Sequence, residues 1–150
     1  MKARREAGIA STARQKVTHM PRYPDMQPVT MAVGDAHRVS GLLHMPEGSR
    51  ACYVLAHGAG AGMTHPFIAG VAEDLGARGI ASLRYQFPYM EKRSKRPDPP
   101  ALAQATVRAA VAEAARLTSP LPLIAGGKSF GGRMTSQAQA AFPQNAFQSA

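Results

Sequence analysis

Gly127-Lys128-Ser129-Phe130-Gly131 places one hydroxyl between two glycines, in the spacing G-x-S-x-G. The apolar run Leu121 to Ala125 stands directly before it, and a helix-forming stretch follows through Ala141. A serine on a sharp strand-to-helix turn is lifted clear of the sheet, and small neighbours keep the strained backbone from clashing. The start of the helix then favours negative charge developing nearby. The chemistry this pattern fits is nucleophilic attack on an acyl carbon, with Ser129 as the catalytic residue.

A second stretch matches that chemistry. His57-Gly58-Ala59-Gly60-Ala61-Gly62 follows another apolar run, Ala51 to Ala56. Acyl transfer needs N–H donors aimed at a tetrahedral oxyanion, and two such donors supply several kcal/mol, on the order of 3 each. The expected oxyanion hole is the backbone of Phe130 together with Ala59 or Gly60. Gly58, Gly127 and Gly131 let main chains approach closely. His57 reads as a brace for its loop rather than as the base. Lys128 and Arg133 stand beside the serine as candidates for steering an anionic substrate.

These segments need a scaffold that brings strand ends together. Val29 to Val33 and Val39 to Met45, around the turn signal Gly34-Asp35, predict a hairpin. The apolar runs at 51–56 and 121–125 predict strands buried on both faces, and Ile80 to Arg84 reads as the strand between them. Between them, Ile68, Val71, Ala72 and Leu75 mark one face of a helix, with Pro66 at its first position, Thr64 or His65 as cap, and Gly79 past its end. Val107, Ala110, Val111, Ala114 and Leu117 mark a second helix. Residues 85–100 read as a loop. The alternation predicts an α/β fold, a mostly parallel sheet with helices on both faces. The expected domains are a basic mobile tail over 1–28, the α/β unit over 29–141 and an irregular tail over 142–150.

Three segments carry a family resemblance: Ala56 to Gly62, Leu83-Arg84-Tyr85-Gln86-Phe87-Pro88-Tyr89, and Gly126 to Arg133. In this order and spacing they resemble the α/β-hydrolase superfamily over about residues 30–141. The branch is the dienelactone-hydrolase-like group, which includes the hydrolase-like domains of NSL complex subunit three and testis-expressed protein thirty. The resemblance implies a fold, hydrolysis of small-molecule ester or related acyl bonds, and a triad in the chain order Ser, then Asp or Glu, then His. Residues 130–150 contain no Asp, Glu or His. The expectation is therefore a truncated or frameshifted product with little activity, whose strand at 121–125 is an uncovered apolar edge that invites self-association. The alternative is a non-catalytic interaction module on a hydrolase-like fold. His65 and Asp98 are the local residues that an improvised triad would need.

Other classes fit less well. A P-loop needs glycine where Pro122 stands, and a dinucleotide fingerprint from Gly58 needs glycine where Met63 stands. The net charge is +9, from 18 Lys and Arg against 9 Asp and Glu, which raises nucleic acid as a partner. The charge gathers in Lys2, Arg4, Arg5, Arg14, Lys16 and Arg22 and in Lys92, Arg93, Lys95 and Arg96. Runs of this kind are usually solvated chain, so no specific nucleic acid is expected. His37, His44, His57 and His65 lack ligand spacing, so neither metal nor cofactor is expected. The single cysteine, Cys52, lies in an apolar run and forms no internal disulfide. No apolar run reaches membrane-spanning length and no h-region follows the basic start, so no membrane partner and a cytoplasmic location are expected.

Overall fold

The computed structural model describes residues 26–141. The elements run β1 (Met26–Val33), β2 (His37–His44), β3 (Ala51–Ala56), α1 (Pro66–Ala77), β4 (Ile80–Tyr85), α2 (Pro88–Glu91), α3 (Pro100–Thr118), β5 (Leu123–Gly127) and α4 (Phe130–Ala141). They build a five-stranded sheet in the order β1-β2-β4-β3-β5. The core strands β4, β3 and β5 are parallel, and the β1–β2 hairpin adds two antiparallel pairings at one side.

β3 is paired on both sides, to β4 and to β5. Its side chains alternate between the two faces. Cys52, Val54 and Ala56 enter a cluster with Val107, Ala110 and Ala114 of α3 and Met134 and Ala138 of α4. Tyr53 and Leu55 turn the other way, towards Phe67, Ile68 and Val71 of α1. Helices therefore cover both faces, as the alternation of patterns predicts. Full burial of a side chain such as Val54, Leu83 or Ile68 contributes about 1.5–3 kcal/mol. Cys52 is completely buried, and burial pushes its thiol up to about 11, so it serves as a small apolar filler.

The helix ends follow the local sequence. The His65 ring caps α1 by accepting the Phe67 N–H at 3.1 Å, with Pro66 in the first turn, where an N–H is dispensable. Gly79 takes φ +75° after the last turn, a conformation that favours glycine.

Three boundaries differ from the sequence expectation. β1 begins at Met26, so Met26 to Pro28 belong to the hairpin rather than to the tail; Pro28 is tolerated because β1 is an edge strand. Residues 88–91, expected as loop, make the single turn α2. The fifth strand runs over 123–127 instead of 121–125, and it is half-exposed rather than buried, with Ile124 at 47%. Only β3 flanks it among the described residues. Of the expected tails over 1–28 and 142–150, residues 1–25 and 142–150 lie outside the described residues.

Candidate active site

β3 and β5 end side by side, with Ala56 paired to Gly127. The chain then turns at Lys128 and Ser129 into α4. The Lys128 N–H donates to the Ala56 carbonyl at 3.1 Å and the Arg133 N–H to the Ser129 carbonyl at 2.9 Å, which leaves Ser129 alone to make the corner. Ser129 takes φ +52°, a left-handed conformation that costs a non-glycine residue about 1–2 kcal/mol. Its side chain lies at the exposed end of the sheet.

Close packing around the corner explains its glycines. A Cβ at Gly127 would lie 2.5 Å from the Ala56 carbonyl oxygen and 2.7 Å from the Ala56 Cβ. A Cβ at Gly131 would strike the His57 carbonyl oxygen and come within 2.7 Å of the Ala56 Cβ. Gly132 is held equally tightly: a Cβ there would lie 2.6 Å from the Gly127 carbonyl oxygen. The motif as read from sequence stops one residue short of this third constraint.

The glycine loop packs on the same corner. A Cβ built on Gly58 would touch the Lys128 carbonyl at ordinary van der Waals distance, 3.4 Å. Ala59 and Gly60 are exposed, and Gly60 takes φ +77°. Phe130 is buried, and as the first residue of α4 its N–H has no partner within the helix.

His57 is fully buried behind the loop. The Phe87 N–H donates to its Nε2 at 3.1 Å, so its Nδ1 carries the proton and donates to the Gly58 carbonyl at 2.7 Å. Both ring nitrogens are committed to main chain. Burial holds the imidazole below its usual pKa, against weaker opposing effects from the Gly58 carbonyl and Asp98. Phe87 and Tyr89 meet the His57 ring edge-on at 5.0 and 5.9 Å, and both also contact the Phe130 ring.

The remaining candidates are placed as follows. The Lys128 ammonium sits 4.5 Å from the Phe67 ring centroid, over α1. Arg133 is exposed, with its guanidinium 6.0 Å from the Phe130 ring. Arg93 and Lys95 border an open cavity of about 490 Å³ together with Gly60 and Met90. His65 is occupied in capping α1, and Asp98 accepts the Tyr89 N–H at 3.0 Å. Among the described residues, no three His, Cys, Asp or Glu side chains gather in a way that could hold a metal ion. No described helix is long and apolar enough to cross a membrane.

Comparison with known proteins agrees with this architecture. A family model described as an alpha/beta hydrolase domain matches residues 49–148. No curated protein matches. Among solved structures, the dienelactone hydrolase of Anabaena variabilis superposes with a TM-score of 0.69 at 26% identity, over 83% of this chain and 61% of that one. A serine hydrolase without a lid from Xanthomonas campestris gives 0.67 at 19% identity, over 80% and 58%. Est1E from Butyrivibrio proteoclasticus gives 0.63 at 19% identity, over 80% and 47%. The chain thus spans less than two thirds of the length of each of these structures. With the family match covering well over half of its residues, and with a fold shared with dienelactone hydrolase, this chain belongs to the α/β-hydrolase family.

Proposed function

We propose that the chain is a serine hydrolase-type domain whose Ser129 hydroxyl attacks the carbonyl carbon of a small ester. The observation that carries this reading is the left-handed Ser129 between β5 and α4, at φ +52°, in a corner where Gly127 and Gly131 admit no side chain. Strain of this kind gathers at functional sites because the surroundings must maintain it. As the Oγ–C bond forms, the carbonyl π pair moves onto oxygen, and the N–H groups of Phe130 and of Ala59 or Gly60 receive it. Collapse breaks the bond to the alcohol, which leaves with the proton released by Ser129, carried through solvent. Water then frees the acid.

Residues 130–150 supply neither carboxylate nor imidazole. A serine without a base in reach is a weak nucleophile. The donors and binding alone retain roughly 10³–10⁴-fold catalysis over water in enzymes stripped of triad members. The activity proposed for the domain is acylation of Ser129, whose rate depends on an acid and a base within reach. Arg93 and Lys95, bordering the cavity at Gly60, give acyl groups that bear a carboxylate a favourable approach.

A second reading is a non-catalytic interaction module on the same fold, favoured by the half-exposed β5 and its exposed Ile124. One experiment separates the two. Purified chain is treated with a labelled fluorophosphonate and, in parallel, with p-nitrophenyl acetate, beside a Ser129→Ala control. Modification confined to Ser129, with ester cleavage above the control, is the expected result. Equal signals from both proteins would remove the hydrolase reading and leave the module.

A further inference from the structure

The segment Leu83 to Tyr89 stands out in the sequence, yet it contains neither the nucleophile nor an oxyanion donor. Its side chains alternate between two tasks. Tyr85 and Phe87 point one way into the aromatic core, where both are essentially fully buried. Arg84 and Gln86, each one residue off that phase, point the other way and reach the same target, the main chain of Met63. The Met63 N–H donates to Gln86 Oε1 at 2.8 Å. Arg84 Nη1 donates to the Met63 carbonyl at 2.9 Å.

Both polar groups of one loop residue are thus held by side chains two positions apart on another strand. Those side chains are themselves fixed. Arg84 is 3% exposed and lies in β4, paired with Leu42 on one side and Leu55 on the other. The Gln86 N–H donates to the Ser40 carbonyl at 2.9 Å, which continues the ladder beyond β4. The fit against the loop is close: a Cβ at Gly62 would lie 2.8 Å from Gln86 Oε1. At the loop's other end, the His57 ring receives the N–H of Phe87, the next residue of the same segment.

We infer that Gln86 and Arg84 are positioning residues, which fix the loop 58–62 beside Ser129 by gripping Met63. The loop Gly58-Ala59-Gly60-Ala61-Gly62 holds three glycines, and glycine loses more conformational freedom on ordering than any other residue. Inside the loop, the Ala61 N–H reaches the Gly58 carbonyl only at 3.4 Å. Its geometry is therefore held chiefly from the ends, by His57 with Phe87 at one and by Met63 with Arg84 and Gln86 at the other, with the Tyr89 hydroxyl against the Gly60 main chain between them. Oxyanion donors act only when held in place before the charge develops, and a displacement of about 1 Å can cost on the order of 10²-fold in rate.

This inference rests on Ser129 being acylated with help from Ala59 or Gly60, and its test has an arm that does not. The full chain is compared with Gln86→Met, which keeps the bulk and removes the acceptor, and with Gln86→Glu, which keeps an acceptor oxygen. Hydrogen exchange at the Met63 amide is read in all three, together with the concentration dependence of fluorophosphonate labelling. The expected result is a Met63 amide that exchanges slowly in the original chain and in Gln86→Glu, and at least tenfold faster in Gln86→Met. The limiting labelling rate of Gln86→Met falls about 10- to 100-fold, while its half-saturating probe concentration and melting temperature hold. A purely structural role would lower the melting temperature and spare the limiting rate of the folded protein. Unchanged Met63 exchange in Gln86→Met overturns the grip itself. Faster exchange with an unchanged limiting rate overturns the link to catalysis. If the original chain is not labelled at Ser129, the hydrolase reading fails while the exchange arm still decides the grip. Should Gln86→Met not fold, Gln86→Ala, which places no thioether beside Gly62, carries the same comparison.

Discussion

Glycines with the same letter in the sequence have opposite obligations in the fold. Gly131 sits against the His57 carbonyl and the Ala56 Cβ, main-chain and methyl atoms at the end of the central strand and just past it that have no rotamer to escape into. Gly70, in the middle of α1, has nothing within 4 Å of where a Cβ would go. Alanine at the first position overpacks the corner, and such overpacking costs about 1–3 kcal/mol or somewhat more. Alanine at the second removes backbone freedom from the unfolded chain and suits a helix, a gain of about 0.4–1 kcal/mol. In urea melts Gly131→Ala is expected to lower the midpoint and Gly70→Ala to raise it. Equal midpoints for Gly131→Ala and the original chain would show that the corner is looser than these distances require. The sequence made the first and last glycines of the motif legible, because the G-x-S-x-G spacing is itself a record of this crowding. Gly132 was not legible, since its constraint comes from the Gly127 carbonyl across the turn and leaves no mark on the spacing.

Elements were legible to the extent that their signals are local. α1 declared itself through a helical period, a proline in its first turn and a glycine past its end, all within one short window. α2 spans four residues, one turn, too short to show any period. The displacement of β5 has a local cause at its start and a tertiary one at its end. The Leu121 N–H closes a turn onto the Thr118 carbonyl at 2.9 Å and so is unavailable to a ladder. Gly126 and Gly127, which look like turn, remain in the strand because side chains there would strike the Tyr53 hydroxyl and the Ala56 main chain. The grip of Arg84 and Gln86 on Met63 was hidden for the same reason: it joins residues whose proximity only the sheet creates.

The loop brace carries its own pH dependence. His57 is neutral in the fold because burial lowers its pKa from 6.5, whereas in the unfolded chain it takes up a proton near that value. The unfolded state therefore binds more protons as the pH falls below about 6.5, and stability drops. The contribution is complete above that pH and is lost downward towards the folded pKa, with a slope of up to about 1.4 kcal/mol per pH unit for one proton. Melting temperatures between pH 8 and 5 are expected to decline more steeply for the original chain than for His57→Gln, whose amide does not titrate. Parallel curves would mean that His57 is protonated within the fold, contrary to its acceptance of the Phe87 N–H.

At the scale of the molecule, the two borders of the described sheet are unlike. The β1 border carries Pro28 and exposed Gln27 and Thr30, features that discourage a further strand. The β5 border carries neither proline nor charge between Leu123 and Gly127 and leaves Ile124 47% exposed. Beside it, on the α1 face, lies an open cavity of about 350 Å³ lined by Tyr53, Leu55, Phe67, Ile68, Val71, Gly127 and Lys128; Phe67 is half-exposed, with the Lys128 ammonium over its ring. A strand whose outer edge has no partner among the described residues, beside a largely apolar flank, is a template for another chain. We therefore propose that the 150-residue chain self-associates through β5. Light scattering after size exclusion is expected to give a mass above that of one chain, falling on dilution. Ile124→Lys, a charge on that border, should weaken association by at least about tenfold, equivalent to roughly 1.4 kcal/mol, without lowering the melting temperature. The substitution at an exposed site removes little folded-state packing, so loss of association and loss of fold are separable in this variant. A monodisperse, cooperatively melting monomer for the original chain at every concentration would mean that the border is protected by something other than a second copy, and the self-association proposal would fall.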